Sequence, residues 1–598
     1  MNFKKLLSVF LIGGLSVVVG GCSNETENTI TDNVASSLPA IRILGMSSSE
    51  MDLNILADQL KKAGFNVELN VQPDYSSFST IQDTGEWDLS LTGWTTVTGN
   101  PDYAVRDIFA STGAYNSQLL NDPKVDMLID QAATETPQVY KKTYTDLENY
   151  LVNEQAYFIP LYSSLRMQGV NNSLMEPTMR QPKSRSSVWE EYTYIDTALN
   201  ETRPFIMTQT SATLTSLDPI QANDGSINQL SSNINTRIIS LTDEDVVEAK
   251  GSLSYNFAIA QGNKEYYFLL KDNVNFSKVE DKKAVDTGVR VGAEDVVFTL
   301  NRAKDKDSVP LHKTYGLHLH MDEISIVTDL NELNTTITAD TGVPILETLT
   351  NGLNVSVTAL TDDKTQADNN NGVYQVVKVT TLNPFPQVLN YLAHQSAGIV
   401  SEEQVTLLNS KFDVENYDAT KDVGYGDFNA IKSGDNHLWM SGPYALTYVN
   451  DYEVAFQKNP VYMPETEHEP RIKDIVIKFI KDTTSANSAF RSGEIDFLST
   501  VDVNHATLLD AEEQFTVMKR SSNAVSYAVF NLAEGNLFTD VNLRKAALYA
   551  VEQQPFIKVK NDLVNPAFST LSTIIDTGNV HISDLEKSAE YLSKYFAE

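Results

Sequence analysis

The side chains that could carry out chemistry are histidines, carboxylates and one cysteine, and their spacing argues against an enzyme. The eight histidines are scattered, and the sequence contains neither a Gly-x-Ser-x-Gly turn nor a glycine-rich phosphate loop ahead of a lysine. His318 and His320, with His312 and Asp322, could bind a metal from one face of a strand, although surface histidines on a strand are the commoner arrangement. Carboxylates are abundant, so none stands out as an acid/base couple. We therefore predict that the protein is not an enzyme and holds no metal or cofactor.

The only cysteine follows a segment that is typical of an export signal. Lys4 and Lys5 precede an apolar run, Leu6–Val19, which is shorter than the roughly 20 residues that span a bilayer. The sequence VGGC that closes the run at Cys22 resembles the lipobox of bacterial lipoproteins, in which the cysteine becomes the lipidated first residue. We predict lipidation at Cys22, with a stray cysteine after an ordinary signal as the alternative. The polar residues Ser23–Pro39 then form a flexible tether that reaches about 20–25 Å.

Composition and charge exclude further classes of protein. Among 598 residues, 45 are basic and 79 are acidic, which gives a formal net charge of −34 at pH 7. This acidity argues against binding to nucleic acid or anionic lipid, because both need clustered lysines and arginines. A hydrophobic content of 41% is ordinary for a globular protein and excludes general disorder. One cysteine excludes a disulfide framework and a zinc site built on several thiolates.

The hydrophobic pattern predicts an α/β fold that begins with alternating strands and helices. The predicted strands are Ile41–Leu44, the alternating Val67, Leu69 and Val71, Trp87–Leu91 and Ala156–Tyr162; the predicted helices follow Ser47 or cover Tyr75–Asp83, Asp122–Ala133, Pro137–Glu154 and Asp584–Phe596. Capping boxes are expected at the start of the first and last helices (Ser47 with Glu50, Ser583 with Glu586). The β-α-β-α-β order implies helices on a largely parallel sheet. The pattern loosens over Gly169–Arg203, which indicates a boundary or a long connection.

Several segments match the motifs of one family in order and spacing. They are Leu214–Pro219 (LTSLDP), Tyr266–Leu270 (YYFLL), Val274–Phe276 (VNF), Ala293–Leu300 (AEDVVFTL), Ser441–Tyr444 (SGPY), Lys458–Tyr462 (KNPVY), Arg491–Asp496 (RSGEID) and Asn542–Ala550 (NLRKAALYA). Each match is weak alone, but together they extend over more than half of the chain. On these segments the chain resembles the family 5 extracellular solute-binding proteins, the oligopeptide, dipeptide and nickel receptors of ABC importers. The resemblance implies a two-lobed, periplasmic-binding-protein-like α/β fold with an extra subdomain.

The remaining family elements stand in an unexpected order. The helix Asp584–Phe596 resembles the piece that precedes the strand Ile41–Leu44 in the family. The segment Asn153–Tyr162 resembles the near-terminal strand of the family, yet the family's opening segment, Leu214–Pro219, follows it here. The resemblance therefore implies a circular permutation in which Gly169–Arg203 joins the usual ends, and new ends open between the last helix and the first strand. Permutation is tolerated where the old ends lie close together and the new ends fall in an exposed turn. A rearranged or chimaeric gene is the alternative.

The permuted order predicts a division of the chain into seven pieces. The signal peptide covers residues 1–21, and the lipidated cysteine with its tether covers 22–39. Lobe 2 combines residues 40–159 with 537–598, and lobe 1 combines 160–240, which includes the junction, with 396–536. Residues 241–395 form the extra subdomain on lobe 1.

Receptors of this class close two lobes over a ligand, so the resemblance implies a site on both sides of the hinge. A peptide would be held extended, with main-chain hydrogen bonds for affinity and tolerant pockets for its side chains. The residues placed in the cleft are Trp94, Thr95, Thr96 and Val97 of lobe 2 and Asn223, Asp224 and Gly225 of lobe 1, with Tyr115, Asn116, Trp439 and Asn531 as lesser candidates. For the two tryptophans, ordinary core packing is the alternative.

One position departs from the family pattern. Oligopeptide and dipeptide receptors have Gly-Trp-x-x-Asp here, and the aspartate pairs with the free ammonium of the peptide, whereas this sequence has Val97. A charge-assisted hydrogen bond contributes roughly 1.5–3 kcal/mol, so its loss matters. Either another acid such as Asp102 or Asp224 substitutes, or the amino end of the ligand lies elsewhere, or the ligand is not a peptide.

Together these observations predict a monomeric lipoprotein, of the Gram-positive type, on the extracellular face of a bacterial cell membrane. It would capture a small ligand, in the first instance a peptide, and deliver it to an ABC permease, with no nucleic-acid partner. A peptide-pheromone sensor or a surface-interaction protein on the same fold is the alternative from another class. Nickel, haem and oligosaccharide are the alternative ligands.

Overall fold

The computed structural model describes residues 38–73, 75–113, 115–116, 121–183, 189–210, 214, 216–223, 227–418 and 421–597. The predicted export signal, Cys22 and most of the tether lie outside these residues, as do Asp224 and Gly225 of the predicted cleft. Within the described ranges, none of the helices has the length and apolar character needed to cross a membrane.

The strands alternate with helices in the first hundred residues and are interspersed with helices through the later part of the chain. In chain order they are β1 (Ile41–Met46), β2 (Val67–Gln72), β3 (Leu89–Thr95), β4 (Phe158–Asn171), β5 (Phe205–Gln209), β6 (Ser240–Leu241), β7 (Val247–Glu248), β8 (Ser254–Ile259), β9 (Glu265–Leu270), β10 (Asn275–Glu280), β11 (Lys283–Arg290), β12 (Met321–Ile326), β13 (Ala359–Leu360), β14 (Val373–Tyr374), β15 (Val376–Thr381), β16 (Tyr444–Val449), β17 (Glu453–Lys458), β18 (Asp474–Phe479), β19 (Phe497–Leu498), β20 (Phe515–Phe530) and β21 (Val564–Pro566).

The five helices predicted from the 3.6-residue periodicity are present near the predicted positions, and the other longer helices were not predicted. The helices of eight or more residues are Glu50–Lys62, Tyr75–Thr84, Pro101–Phe109, Pro123–Thr134, Pro137–Asn149, Ala293–Lys304, Glu402–Asn409, Thr483–Arg491, Val503–Asp510, Val541–Ala550 and Leu585–Ala597. Shorter ones are Leu199–Thr202, Asn228–Ile234, Tyr315–His318, Leu330–Thr335, Ile345–Leu349, Val388–Leu392, Phe428–Lys432 and Gln554–Lys558. A π-helical turn, Tyr150–Glu154, extends the helix that begins at Pro137.

Both predicted capping boxes are wrong. The first helix begins after Ser49, and the hydroxyl of Ser47 donates instead to the carbonyl of Pro73 at 3.3 Å. At the last helix, the carboxylate of Asp584 accepts the backbone N–H of Lys587 at 3.0 Å. A carboxylate directly before the first turn satisfies a free helix N–H and also interacts favourably with the helix dipole.

One long sheet runs through the centre of the molecule. Of the strands in the described ranges, eleven belong to it, in the order β16-β17-β18-β5-β19-β4-β20-β3-β1-β2, with β21 paired to β4. The predicted parallel arrangement is confirmed for β1, which pairs parallel with β2 and β3. The two longest strands, β4 and β20, lie next to each other in the middle and run antiparallel.

The cores on the two sides of β4 and β20 are separate, and they make the molecule two-lobed. Lobe 2 combines buried side chains from residues 38–162 with others from residues 525–592. Leu592 of the last helix and Ile41 of β1 belong to this one core, as the predicted permutation requires. Lobe 1 and its subdomain hold the other large cores, which lie between Met167 and Met518 except that Tyr103 and Ala133 of lobe 2 join the core of the subdomain. The predicted boundary at 159/160 falls inside β4. The predicted boundary at 536/537 falls six residues after the end of β20.

The connection after β4 is fixed to lobe 1 by buried aromatic side chains. Trp189, Tyr192 and Tyr194 are each exposed by 1% or less. The ring of Trp189 lies 5.1 Å from that of Phe456, and the two tyrosine rings lie 5.8 and 6.0 Å from Phe205. The loosened sequence pattern therefore marks a long connection, and not a boundary between independent domains.

Candidate functional site

The two lobes are joined where β4 and β20 pass between their cores. In lobe 1 these strands pair from Phe515 to Ser521, and in lobe 2 they pair again from Val525, after a shift in register. A shift of this kind interrupts the ladder of hydrogen bonds and bends the strands locally. The interruption therefore marks the hinge about which the lobes can move.

A cavity of about 370 Å³ lies against this hinge. Its described lining comes from the hinge strands, from the ends of β3, β5 and β19, and from the helices that begin at Asn228 and Thr483: Thr95, Ser164, Leu165, Arg166, Met167, Lys183, Thr208, Gln209, Thr210, Asn228, Gln229, Ile480, Thr483, Ala486, Ser499, Thr500, Val501, Ser522 and Ala524. Hydroxyl and amide groups predominate, and the volume falls within the usual range of ligand sites, about 300–1,000 Å³. We refer to it as the hinge cavity.

Trp94 lies at the end of β3 and is half-buried between the two lobes. Its indole N–H donates to the carbonyl of Tyr103 at 3.2 Å, and the rings of Tyr103 and Tyr115 lie 5.1 and 5.3 Å away. Tyr103 in turn meets Tyr391 of lobe 1 edge to face at 6.3 Å. A row of aromatic rings thus leads from the 55% exposed Tyr115 into the interface between the lobes.

The residues after Trp94 divide between the hinge cavity and the interface. Thr95 lines the cavity. The backbone N–H of Thr96 donates to the carbonyl of Asn523 at 3.1 Å, and the amide of Asn523 donates back to Thr96 O at 3.1 Å and to Asp245 Oδ2 at 2.6 Å. Val97 packs against the apolar core of the extra subdomain.

Asp102, one of the acids considered as a substitute at this place, is occupied elsewhere. Its carboxylate is fully buried. The Nε–H of Arg106 donates to both carboxylate oxygens at 3.0 Å, and the hydroxyl of Tyr391 donates to Oδ2 at 3.2 Å. An ion pair of this kind leaves the carboxylate unsuited to a second cation. The burial of Asp102 and its contacts with Arg106 and Tyr391 therefore argue against its replacing the missing aspartate.

Of the predicted segment Asn223–Gly225 in lobe 1, only Asn223 lies within the described residues, and it does not line the hinge cavity itself. Its amide oxygen accepts hydrogen bonds from Asn228 at 3.2 Å and Gln395 at 3.3 Å, and Gln395 also donates to Asn228 at 3.0 Å. Since Asn228 lines the hinge cavity, this triangle of amides supports the cavity wall.

Three lesser candidates lie apart from the cavity. Asn116 donates to the carbonyl of Ala110 at 2.7 Å within its own loop, and Trp439 packs on Phe276 with ring centres 6.4 Å apart. Asn531 holds the loop before β3 by donating to Trp87 O at 2.7 Å. It follows Phe530, which pairs with Leu89 at the far end of β3, about 20 Å from Thr95 at 3.4 Å per residue.

The histidines predicted to lie on a strand surface lie outside the described strands, and His318 is buried while His312 and His320 are partly exposed. His318 ends a short helix, and His318 Nε2 and His394 Nδ1 both lie 2.8 Å from the hydroxyl of Ser396. Burial lowers the pKa of each ring to about 3. His320 stacks on Phe385 with ring centres 4.2 Å apart. Across the described ranges, no three histidine, cysteine, aspartate or glutamate side chains are gathered as a metal site.

A second contact between the lobes, which we call the latch, lies beyond the Trp94 row. Gln387 of the subdomain accepts the backbone N–H of Asp102 at 2.8 Å, donates to the hydroxyl of Tyr144 at 3.1 Å, and accepts the amide of Asn100 on its carbonyl at 3.3 Å. Asn390 adds a bond to Thr98 O at 3.1 Å, and Tyr391 reaches Asp102. The latch is defined by these residues: Thr98, Asn100, Asp102, Tyr144, Gln387, Asn390 and Tyr391.

Sequence reasoning missed the hinge residues and the latch. A signal for the hinge was present, because each crossing strand carries a Ser-Ser pair, Ser163-Ser164 and Ser521-Ser522, within a strand whose ends are largely apolar. No comparable signal marks Gln387, which lies almost 290 residues from its partners in lobe 2.

Comparison with known proteins identifies the family. Residues 249–595, more than half of the chain, match the model of bacterial extracellular solute-binding proteins, family 5 Middle. The protein therefore belongs to the family 5 extracellular solute-binding proteins.

Individual relatives are similar over shorter stretches. The chain is 30% identical over 129 residues to a Brucella ovis protein named as a candidate ABC transporter peptide-binding protein, and 24% identical over 184 residues to the glutathione-binding protein of Salmonella choleraesuis. These matches cover 21% and 31% of this chain, and 24% and 31% of the relatives. The chain thus spans about a quarter to a third of the length of these curated relatives.

Solved structures of similar fold have low identity. A binding protein of Helicobacter pylori in complex with the peptide STSA is 16% identical, with a TM-score of 0.41, over 68% of this chain and 66% of that one. HbpA2 of Haemophilus parasuis is 14% identical, with a TM-score of 0.42, over 66% of each chain.

Proposed function

We propose that this protein captures a small peptide between its two lobes and delivers it to an ABC permease. The observation that carries the proposal is the hinge cavity, which lies where both crossing strands change register and which receives side chains from both lobes. A ligand at this place gains contacts when the lobes close, so its binding free energy favours the closed state. Membership in the family and the names of the Brucella and Helicobacter relatives support the choice of a peptide.

Stripping and reloading the receptor tests the proposal. The purified chain is unfolded to release carried ligand, refolded, and offered pools of synthetic peptides of two to eight residues. Native mass spectrometry is expected to find retained peptides, and calorimetry to give their affinities. Retention of nickel, haem or an oligosaccharide with no retained peptide would contradict the proposal.

We further propose that no carboxylate of the segment after Trp94 anchors the amino end of the peptide. Val97 has no charge, and Asp102 is already paired with Arg106. A peptide and its N-acetylated form should therefore bind with equal affinity in calorimetry. A loss of two orders of magnitude on acetylation would refute this part.

The anchor and the delivery step belong to the same proposal. Lipidation at Cys22 would hold the receptor on the extracellular face of the membrane as a monomer, and replacement by serine should release the chain into the medium. Uptake of labelled peptide should fall in a strain that lacks this chain. Normal uptake would favour the alternative of a pheromone sensor or a surface-interaction protein.

We propose that the chain order is a circular permutation of the family order. The shared core of Leu592 and Ile41 supports it, because the last helix and the first strand are then neighbours in one lobe. A re-permuted chain, with a short linker from Glu598 to Pro39 and new ends inside residues 172–188, should fold with an unfolding midpoint close to that of the natural order. Failure of this variant to fold would count against the permutation.

A further inference from the structure

Two Asn-Gly pairs occur in the sequence, and both lie in the extra subdomain. They are Asn351-Gly352 and Asn371-Gly372. In each pair the glycine has a left-handed backbone, with φ of +79° and +84°. Glycine adopts this conformation without strain, and Asn-Gly is accordingly a frequent turn sequence. The pairs share their residue types and the conformation of their glycine, so a difference in reactivity must come from their surroundings.

An Asn-Gly pair can react within itself, because glycine has no side chain to shield its backbone nitrogen. This nitrogen attacks the side-chain carbonyl carbon of the asparagine, and a C–N bond forms to close a cyclic imide. The amide group leaves with the proton of the backbone N–H as ammonia. Water then opens the imide at one of its carbonyl groups and gives aspartate or isoaspartate. The reaction needs a free backbone N–H, a mobile asparagine side chain and access to water, but no oxidant or reductant.

Asn351-Gly352 lies in an open turn that follows a short helix. Both residues are exposed, and no atom lies within 4 Å of the position that a Cβ of Gly352 would occupy. Within the residues that the structure describes, neither the side chain of Asn351 nor the backbone N–H of Gly352 takes part in a hydrogen bond. Only the backbone of Asn351 is held, since its carbonyl accepts the amide of Asn256 at 2.9 Å. The attacking nitrogen, the asparagine side chain and water are therefore free to meet at this turn.

Asn371-Gly372 is enclosed by its own turn. The side-chain amide of Asn371 donates to Asp368 Oδ2 at 2.7 Å, and its backbone N–H donates to Asp368 Oδ1 at 3.2 Å. Gly372 is buried, its N–H donates to the carbonyl of Asn369 at 3.2 Å, and its carbonyl accepts the N–H of Thr358 at 2.9 Å. These bonds must open before the side chain can turn towards the glycine nitrogen. The nearby carboxylate also opposes the loss of the N–H proton.

We propose that Asn351 is a deamidation site, at which water converts the asparagine to aspartate or isoaspartate through attack by the nitrogen of Gly352. Asn371 is protected by its turn. The product carries a new carboxylate, and isoaspartate adds a carbon atom to the main chain. The helix before the turn is fixed by the fully buried side chains of Ile345 and Leu349, so the change stays within the turn. Neither residue of the reactive pair lines the hinge cavity, which makes the modification independent of ligand capture.

Peptide mapping by mass spectrometry tests the proposal on the folded full chain, incubated at mildly alkaline pH. The peptide that contains Asn351 should deamidate about 10- to 100-fold faster than the one that contains Asn371, because a hydrogen bond to a charged group must break before Asn371 can react. In urea the two rates should become equal, since the unfolded chain offers the same Asn-Gly sequence twice. Equal rates in the folded chain, or an Asn351 that reacts only in urea, would overturn the inference.

Variants test the two turns separately. Asn351→Gln should abolish the reaction at its turn, because a ring closes more slowly from the longer side chain. Asp368→Ala should accelerate the deamidation of Asn371 by about 10- to 100-fold and leave the rate at Asn351 unchanged. Asp363→Ala is the matched control, because this aspartate of the same loop accepts the amide of Gln366 at 2.9 Å and contacts neither pair. An Asn371 that stays as slow in Asp368→Ala as in the natural chain would contradict the assigned protection.

Hydrogen exchange on the natural chain gives a second measurement that does not depend on the folding of a variant. The N–H of Gly352 should exchange with solvent faster than that of Gly372, whose bond to Asn369 must open first. The reverse order of exchange would count against the difference between the two turns and would overturn the inference.

Discussion

The hinge cavity and the latch both join the two lobes, but they are built in opposite ways. The cavity is lined mainly by hydroxyl and amide groups that surround open space. The latch is dry: Gln387 is 4% exposed, Asp102 is fully buried, and hydrogen bonds connect them across the interface. The comparison shows that a buried, hydrogen-bonded contact and an open cavity connect the lobes at separate locations; if the proposed function holds, closure and ligand selection are separated in the same way. The latch contributes to closure whatever the ligand is, and the cavity can vary its chemistry at little cost to the fold.

The largest effect on the free energy of unfolding is expected at the ion pair that Asp102 of the latch forms with Arg106. Asp102→Ala leaves Arg106 without its buried partner, and breaking such a pair costs about 3–5 kcal/mol. Urea unfolding should show a loss of this size. Asp130→Ala removes the 70% exposed partner of the same arginine and should cost less than about 0.5 kcal/mol. Equal losses in the two variants would contradict the assignment of the latch as a buried structure.

The next largest effect on stability is expected at Asp107 and depends on pH. Burial, with the charge of Asp102, raises the pKa of Asp107 to about 6, from about 3.9 in the unfolded chain. The raised pKa means that the contribution of this group to stability is complete below pH 4 and is lost as the pH rises through 6. The side chain introduced by Asp107→Asn stays neutral at both pH values. The free energy of unfolding of this variant should therefore be about 2 kcal/mol higher than that of the natural chain at pH 7.5 and equal to it at pH 4. Urea unfolding at both values measures the difference, and a gap that is independent of pH would argue against the raised pKa.

Removal of Gln387 should open the lobes. Gln387→Ala leaves the N–H of Asp102 and the hydroxyl of Tyr144 unsatisfied, which costs about 1–3 kcal/mol. The radius of gyration of the ligand-free protein in small-angle scattering should increase. Gln366→Ala, at an exposed glutamine of the same subdomain, is the control and should leave it unchanged. An unchanged radius in both variants would show that the latch does not hold the closed state.

The smallest effect on stability is expected in the hinge cavity. Thr500 is exposed on the cavity wall, so Thr500→Ala should change the free energy of unfolding by less than about 0.5 kcal/mol. The affinity for retained peptides should change while the unfolding curve does not. A loss of stability as large as that of Gln387→Ala would remove the distinction between the two regions.

How much could be predicted from the sequence depended on the range of the interactions. The first helix, Glu50–Lys62, and the last helix, Leu585–Ala597, were predictable because the periodicity that identifies each of them lies within one element. The same holds for the parallel strands β1 to β3. The capping box at the first helix failed because Ser47 bonds the carbonyl of Pro73, 26 residues away, and the one at the last helix failed because the neighbouring Asp584 caps the first turn. The prediction for His318 failed because its ring is buried against Ser396, nearly 80 residues away along the chain.

The sequence alone determined the family, the α/β class and the absence of an acid at Val97, because each is carried by residue types at fixed local spacing. Only the tertiary structure decided that Arg166 faces Arg520 beside a cavity and that Gln387 closes on Asp102. Those pairs are more than 280 residues apart along the chain, and their contact results from the register of two strands and the packing of two lobes, which no local pattern encodes.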